Sequence, residues 1–423
     1  MNIFIESAKV IDNRSKYHNK IVNIKIKNGE ITAIGPSVKN TENYKIIKEK
    51  NLHVSIGWFD LRARFCDPGY EFKEDLQSGA KAAAKSGFTG VCVMPNTLPP
   101  IDSKSGIDYI KKQTSNLAID VYPTGCVSHN REGKELAELF DMHQAGAVAF
   151  TDDKRYIQNP NLINRALLYS KAFNGLIMDF PNDDYIFNNG HVYEGPVSLK
   201  LGLKGIPELS EEIAVSRDLF LMDYAETKLH LSAVSAPKSF ELIAKAKKQN
   251  KKITTDVNVV NLYFSDEDVA NFDTNLKVLP PLKPKTTIKK IIKGLNDGTI
   301  DTICSDHTPE IVENKKVEFD NAAFGAETLE AFFGAINYIL HKDMDLGKLI
   351  ELITLNPRNI LNLPIPTIET GEKANLTLFN PDIHWVFDEN AIISKSKNSP
   401  FIGKPLKGKA LGIINNNQMV SNF

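Results

Sequence analysis

Only four cysteines, Cys66, Cys92, Cys126 and Cys304, occur in 423 residues, widely scattered and with no Cys-x-x-Cys pair. Their scarcity excludes a disulfide-stapled scaffold and a zinc knuckle, and it fits buried fillers in a reducing compartment. An excess of one charge is missing too: Lys and Arg number 51 against 52 Asp and Glu, a formal net charge of -1. Nothing electrostatic points to nucleic acid or to an acidic membrane surface, and the lysine-rich stretch 245–252 reads as the solvated end of a helix. No run approaches the roughly 18 to 20 apolar residues of a bilayer span, and Met1 to Val10 lacks the basic start and apolar core of a signal peptide. A cytoplasmic protein is expected. No Gly-x-Gly-x-x-Gly follows the first strand of the middle region, which argues against a doubly wound dinucleotide-binding sheet.

What is present is enough for one large barrel and a smaller accessory domain, with 42% hydrophobic and 24% charged residues. The first 50 or so residues carry short apolar runs, and Asn28-Gly29 between Ile21–Ile26 and Ile31–Ile34 signals a tight hairpin. The far end has the same texture around Asn375–Phe379 and Leu411–Ile414. Residues 1–55 and 366–423 therefore read as one β-sandwich domain built from both termini. Between them, residues 56–365 alternate short strands with helix-favouring segments. The strands are Gly90–Pro95, Ile119–Tyr122, Ala147–Phe150, Gly175–Met178, Lys228–Leu231, Ile253–Val257 and Thr299–Ile303, and the helical segments include Leu76–Lys85 and Glu132–Ala145. An α/β fold with a (β/α)8 TIM-like barrel is expected, its functional residues at the carboxyl ends of the strands.

One stretch, Ile56-Gly-Trp-Phe-Asp-Leu-Arg-Ala-Arg-Phe-Cys-Asp-Pro-Gly69, organises the rest. It opens as an apolar strand yet carries Arg62 and Arg64 two residues apart, so both guanidinium groups point to one face. Permanent charges are costly to bury unless paired, so something anionic has to meet them. The segment resembles the first metal-binding strand of the amidohydrolase superfamily, most closely its dihydroorotase branch, where Phe-Ile-Asp-Leu precedes His-any-His and Arg-Glu-Pro-Gly. Phe59-Asp60-Leu61 and Pro68-Gly69 match; Arg62 and Arg64 take the two histidine positions, and Cys66 stands where a substrate-binding arginine would be.

The resemblance runs from about Ile3 to Gly408 and implies a zinc-dependent hydrolase of cyclic amides. Thr151-Asp152-Asp153 is similar to the family's Ser-Asp-Asp, which marks Asp152 as a carboxylate near the metals, with one register of freedom toward Asp153. Asp179 takes the place of a histidine after Leu176-Ile177-Met178, and Ala233 that of the histidine in His-Val-Ser. His230 matches a non-ligand histidine and reads as a satisfied core residue. Cys304-Ser305-Asp306-His307-Thr308-Pro309 resembles Thr-Asp-His-Ala-Pro, in which the aspartate is both ligand and proton shuttle. Asp306 is then the residual catalytic candidate, while Glu310 stands where the family carries another histidine. Asn96 and His307 are the substrate-binding candidates, and Leu279 in Val278–Lys283 replaces a substrate-binding asparagine.

Arg62, Arg64, Asp179 and Ala233 thus all lack an imidazole, and a guanidinium stays protonated and ligates nothing. No cofactor is expected on this count. Instead, the two arginines are expected to hydrogen-bond Asp152, Asp179 and Asp306 as a fixed substitute for metal ions. The plainer readings are rim salt bridges to Glu71 or Glu74, and Asp306-His307 as a strand-end cap. The functional expectation is a non-catalytic dihydroorotase homologue of pyrimidine biosynthesis. It would be a homodimer or larger oligomer and a structural or regulatory partner, for which the resemblance implies aspartate carbamoyltransferase. The alternatives are an active cyclic amidohydrolase with an atypical or absent metal site and Asp306 as base, and a pyrimidine-binding sensor using Asn96 and His307.

Overall fold

A computed structural model describes residues 1–249 and 251–422. Asn250, inside the lysine-rich stretch, and Phe423, at the end of the second terminal segment, lie outside the described residues. Eight staves close a parallel barrel in chain order: Trp58–Ala63, Phe88–Val93, Asp120–Pro123, Phe150, Ile177–Asp179, Leu229–Leu231, Ile253–Asn258 and Thr302–Cys304. Phe150 bridges Gly125 on one side and Ile177 on the other, and Ala63 bridges His307 to seal the ring. The expected strand Ala147–Phe150 shrinks to this single bridged residue. Gly146, left-handed at φ 112°, caps the helix just before it, and the Asp152-Asp153 turn follows at once.

Helices cover the outside. Leu76–Lys85 forms where alanine-rich sequence predicts it, started by the Asp75 side chain accepting from the Ser78 backbone N–H at 2.7 Å while Ser78 Oγ accepts from the Asp75 N–H. Gly79 is required there, because a Cβ would fall 2.5 Å from the Phe65 ring. The expected helix Glu132–Ala145 is confined to Leu139–Ala145; Asn130, Arg131 and Gly133 all adopt positive φ and turn the preceding segment into a loop over the barrel mouth.

Both termini meet in one eight-stranded sheet. Ile21–Lys27 and Glu30–Gly35 form the hairpin expected at Asn28-Gly29. Asn2–Val10 shifts register between Ile5 and Ala8, pairing with Lys45–Ile47 before the shift and His53–Ile56 after it. His53–Ile56 then joins Leu376–Val386 and, through it, Pro405–Asn415. The sheet keeps its own core of Ile3, Ile5, Val22, Ile24, Val54, Leu376 and Leu378. It grips the barrel through Trp58, whose ring lies 4.5 Å from Phe333 and 5.4 Å from Phe379 between centroids. No described helix is long and apolar enough to cross a membrane.

Candidate functional site at the barrel centre

Arg62 and Arg64 leave the first stave on the same face, as the strand period requires, and both turn into the barrel, where they are 2% and 3% exposed. Arg62 donates from Nη2 to Asp256 Oδ1 at 2.6 Å and to Asn258 Oδ1 at 2.5 Å, and its Nη1 lies 3.7 Å from Asp306 Oδ1. Arg64 grips Asp153 with two parallel bonds, Nε to Oδ2 at 2.8 Å and Nη2 to Oδ1. Its Nη1 reaches Asp306 Oδ1 at 3.3 Å and the Thr308 hydroxyl. The other oxygen of Asp306 accepts from Lys154 Nζ at 2.7 Å and Asn258 Nδ2 at 2.9 Å. Asp256 is completed by the Ala233 backbone N–H and by His230 Nε2, both at 2.9 Å.

Three cations therefore face three carboxylates in a closed network. Isolated, each charge would cost several kcal/mol to bury; matched and hydrogen-bonded, they hold one another. Burial would raise the Asp153 pKa, but the Arg64 guanidinium overrides it and holds the carboxyl at about 2. Asp256 is kept below the usual range against its own burial, chiefly by Arg62 and then His230. Burial pushes the Lys154 ammonium down to about 8, with Asp306 opposing and Arg64 and Arg62 adding to the fall.

The residues singled out by sequence divide. Arg62, Arg64 and Asp306 come together as expected. Asp152 does not join them: it accepts from the Val127 and Ser128 backbone N–H groups at 2.9 and 3.0 Å and from the Ser128 hydroxyl, tying down the mouth loop. Asp153 takes its place, because its left-handed backbone at φ 57° swings the next carboxylate inward. Asp179 also stands apart, 3.7 Å from Arg217 and beside Asp218. Burial, and next the Asp218 charge, raise its pKa well above the ordinary value. Ala233 packs with Phe180, Ile206 and Leu279, with Phe187 and Phe324 alongside, so that flank of the centre is apolar. His307 is fully buried, 3.7 Å from Glu74 and 3.8 Å from Glu327, with its backbone carbonyl accepting from the Arg64 N–H. Its ring lies in the wall between those two carboxylates. Asn96 is half-buried in the turn after the second stave. Glu71 and Glu74 bond Gly69 and Lys395 backbone N–H groups, so the rim reading of the arginines is not realised.

Sequence reasoning missed Lys154, Asp256 and Asn258. A signal existed for two of them: Asp256 and Asn258 flank Val257, placing both polar groups on one face at period 2.

Two family profiles match the chain, Dihydro-orotase-like over residues 53–239 and Amidohydrolase family over residues 191–408. The dihydroorotase of Syntrophus aciditrophicus is 37% identical over 97% of both chains, and that of Carboxydothermus hydrogenoformans is 38% identical over 92% of this chain and 90% of its own. The chain belongs to the dihydroorotase family of amidohydrolases. Among solved structures, the L-hydantoinase (dihydropyrimidinase) from Arthrobacter aurescens superposes with a TM-score of 0.87 at 21% identity, covering 99% of this chain and 96% of that one. That likeness shows the fold: a TIM barrel with a small β domain.

Family membership corrects one expectation. No cofactor was expected, yet dihydroorotase and hydantoinase amidohydrolases are typically zinc-dependent. The side chains at this barrel centre do not fit that ion. Guanidinium groups have no lone pair to give, and among the described residues no group of three or more His, Cys, Asp or Glu is placed to hold a metal. Both oxygens of Asp306 accept from cations or amides in this arrangement.

Proposed function

We propose that this dihydroorotase-family barrel serves pyrimidine biosynthesis without opening a ring at its own centre, and acts as a structural or regulatory partner of aspartate carbamoyltransferase. The single observation behind this reading is the buried pairing of Arg62 and Arg64 with Asp153, Asp256 and Asp306. It commits the one candidate base and fills the space where the family's ligands would converge. An intact scaffold around an altered centre fits a surface that remains in use. The test pairs two measurements on purified full-length protein. Association with aspartate carbamoyltransferase at near-physiological salt, together with no ring opening of dihydroorotate in the presence of added zinc or manganese, is the expected result. An unassociated protein beside an active carbamoyltransferase counts against it.

A second reading has its own support. The relatives carry the name dihydroorotase over nearly the whole chain, and on that ground the comparisons favour an active cyclic amidohydrolase over a non-catalytic one. Asp306 would then be the base, and Lys154 would have to release it before proton transfer. Turnover lost in Asp306→Ala, with the fold retained, establishes this reading and defeats the first.

A further inference from the structure

The turn after the fourth stave, closed by the Arg155 N–H donating to the Asp152 carbonyl at 3.3 Å, sends Asp153 and Lys154 into the arginine centre and leaves Arg155 exposed. The Arg155 guanidinium makes one bond, Nη1 to the Arg131 carbonyl at 3.2 Å; among the described residues its Nε and Nη2 have no acceptor. Arg131 holds a left-handed backbone at φ 57°, a conformation that costs a long side chain more than it costs glycine. Its side chain is turned inward and only 14% exposed. Nε and Nη2 donate to the Asp152 carbonyl at 3.1 and 2.9 Å, and Nη2 stops 4.0 Å from Asp153 Oδ2. Nη1 has no acceptor among the described residues. Burial pulls the Arg131 pKa below its ordinary value although Asp153 opposes the fall, so this cation is under-compensated where it stands.

Both guanidinium groups line one cleft of about 400 Å³, which is the size of a small-molecule site. The acids on its wall do not use up the spare donors. Asp152 accepts through Oδ1 from the Val127 and Ser128 N–H groups and through Oδ2 from the Ser128 hydroxyl. Glu132 is paired with Lys134 at 2.9 Å. Asp184 forms no ion pair with either arginine, and burial, then the Asp183 charge beside it, raises its carboxyl above the ordinary pKa, so it gives up its charge more readily than an exposed acid. Unused N–H groups on two guanidinium forks are what this cleft offers a visitor. That fork matches the planar or tetrahedral oxygens of a carboxylate or a phosphate, and bonds to such a group are charge-assisted.

We propose that this cleft is an oxyanion site, separate from the arginine centre, in which Arg131 and Arg155 hold the carboxylate or phosphate group of a small molecule. It does not depend on whether the centre turns over, because Arg62 and Arg64 face Asp153, Asp256 and Asp306 instead. Calorimetric titration of the full-length protein at fixed ionic strength, with inorganic phosphate and separately with succinate, is expected to show one saturable site. Saturation by phosphate alone assigns a phosphorylated ligand, by succinate alone a carboxylate, and by both the shared oxyanion chemistry. Arg155→Gln should weaken that binding at least about tenfold, the equivalent of one charge-assisted hydrogen bond. Asp184→Asn should tighten it, since a carboxyl on the wall is removed. Arg165→Gln, at an exposed arginine on Pro160–Lys171 outside the cleft, should leave it unchanged. Phenylglyoxal modification, read by peptide mass spectrometry, should be slowed at Arg155 and not at Arg165 when the same anion is present. No saturable binding of either anion overturns the proposal, as does binding that survives Arg155→Gln or falls equally in Arg165→Gln. Weaker binding in Asp184→Asn would show that the cleft takes a cation and would overturn it too.

Discussion

Around Arg62 and Arg64 each of three buried carboxylates meets a cation, whereas at the fifth stave Asp179 and Asp218 share the single guanidinium of Arg217. Both clusters are buried and both sit beneath one barrel mouth. Their carboxyls respond in opposite directions: Asp153 and Asp256 are held low by their guanidinium partners, while burial raises Asp179 and Asp218, with the Asp218 charge adding to the rise at Asp179. One oxygen of each of the latter pair, Oδ2, has no hydrogen-bond partner, which leaves room for a shared proton. Desolvation is common to both places, so the supply of cations decides the sign. The comparison explains why two arginines on one strand are needed at the centre: with a single one, two cations including Lys154 would face three carboxylates.

Removing a cation from the matched cluster should have the largest effect. Arg64→Met strands Asp153 and half of Asp306, and urea unfolding at pH 7 should show a loss of about 3–5 kcal/mol. A loss below about 1 kcal/mol would mean that the network relaxes to solvent. In the wild type the same pair sets acid sensitivity. Asp153 has a folded pKa of about 2, below the ordinary carboxyl value, so its stabilisation is complete above the unfolded pKa near 4 and disappears as pH falls toward 2. About 2 kcal/mol should be lost across that window and be absent in Asp153→Asn.

The unmatched cluster predicts the opposite slope. Because Asp179 is raised, its contribution is intact below the unfolded carboxyl pKa and declines from there until pH passes the folded value. Asp179→Asn supplies an amide donor to Asp218 without a second charge. It should stabilise the protein by about 1–2 kcal/mol at pH 8 and change little at pH 4. A variant less stable at both pH values would show that Asp179 is held ionised by Arg217. The smallest effect is at Lys154, where selective acetylation should follow a midpoint near pH 8 that moves upward in Arg62→Met, since the guanidinium contributes to the depression.

Much of the architecture was legible because it rests on local signals. Asn28-Gly29 fixes a hairpin, the alanine-rich segment after Asp75 makes a helix, and short apolar runs separated by helical stretches make a barrel. The arginine centre was half legible. Period 2 on Arg62 and Arg64 placed both guanidinium groups together, and burial of charge demanded acids. Which acids was another matter. Asp152 and Asp153 differ only in a backbone twist that no side-chain pattern encodes, and Asp179 was drawn away by Asp218 and Arg217, distant in sequence on a helix. His307 sits inside a well-matched motif, yet its ring turns into the wall between Glu74 and Glu327. A motif gives the path of the backbone more reliably than the direction of a side chain.

The central claim, that fixed guanidinium–carboxylate pairs hold the barrel centre together, is tested most directly by a double-mutant cycle on Arg64→Met and Asp153→Asn, read by urea unfolding at pH 7. The account predicts that the two losses fail to add, with a coupling of at least about 2 kcal/mol between the side chains. Independent, additive effects within about 0.5 kcal/mol would contradict it.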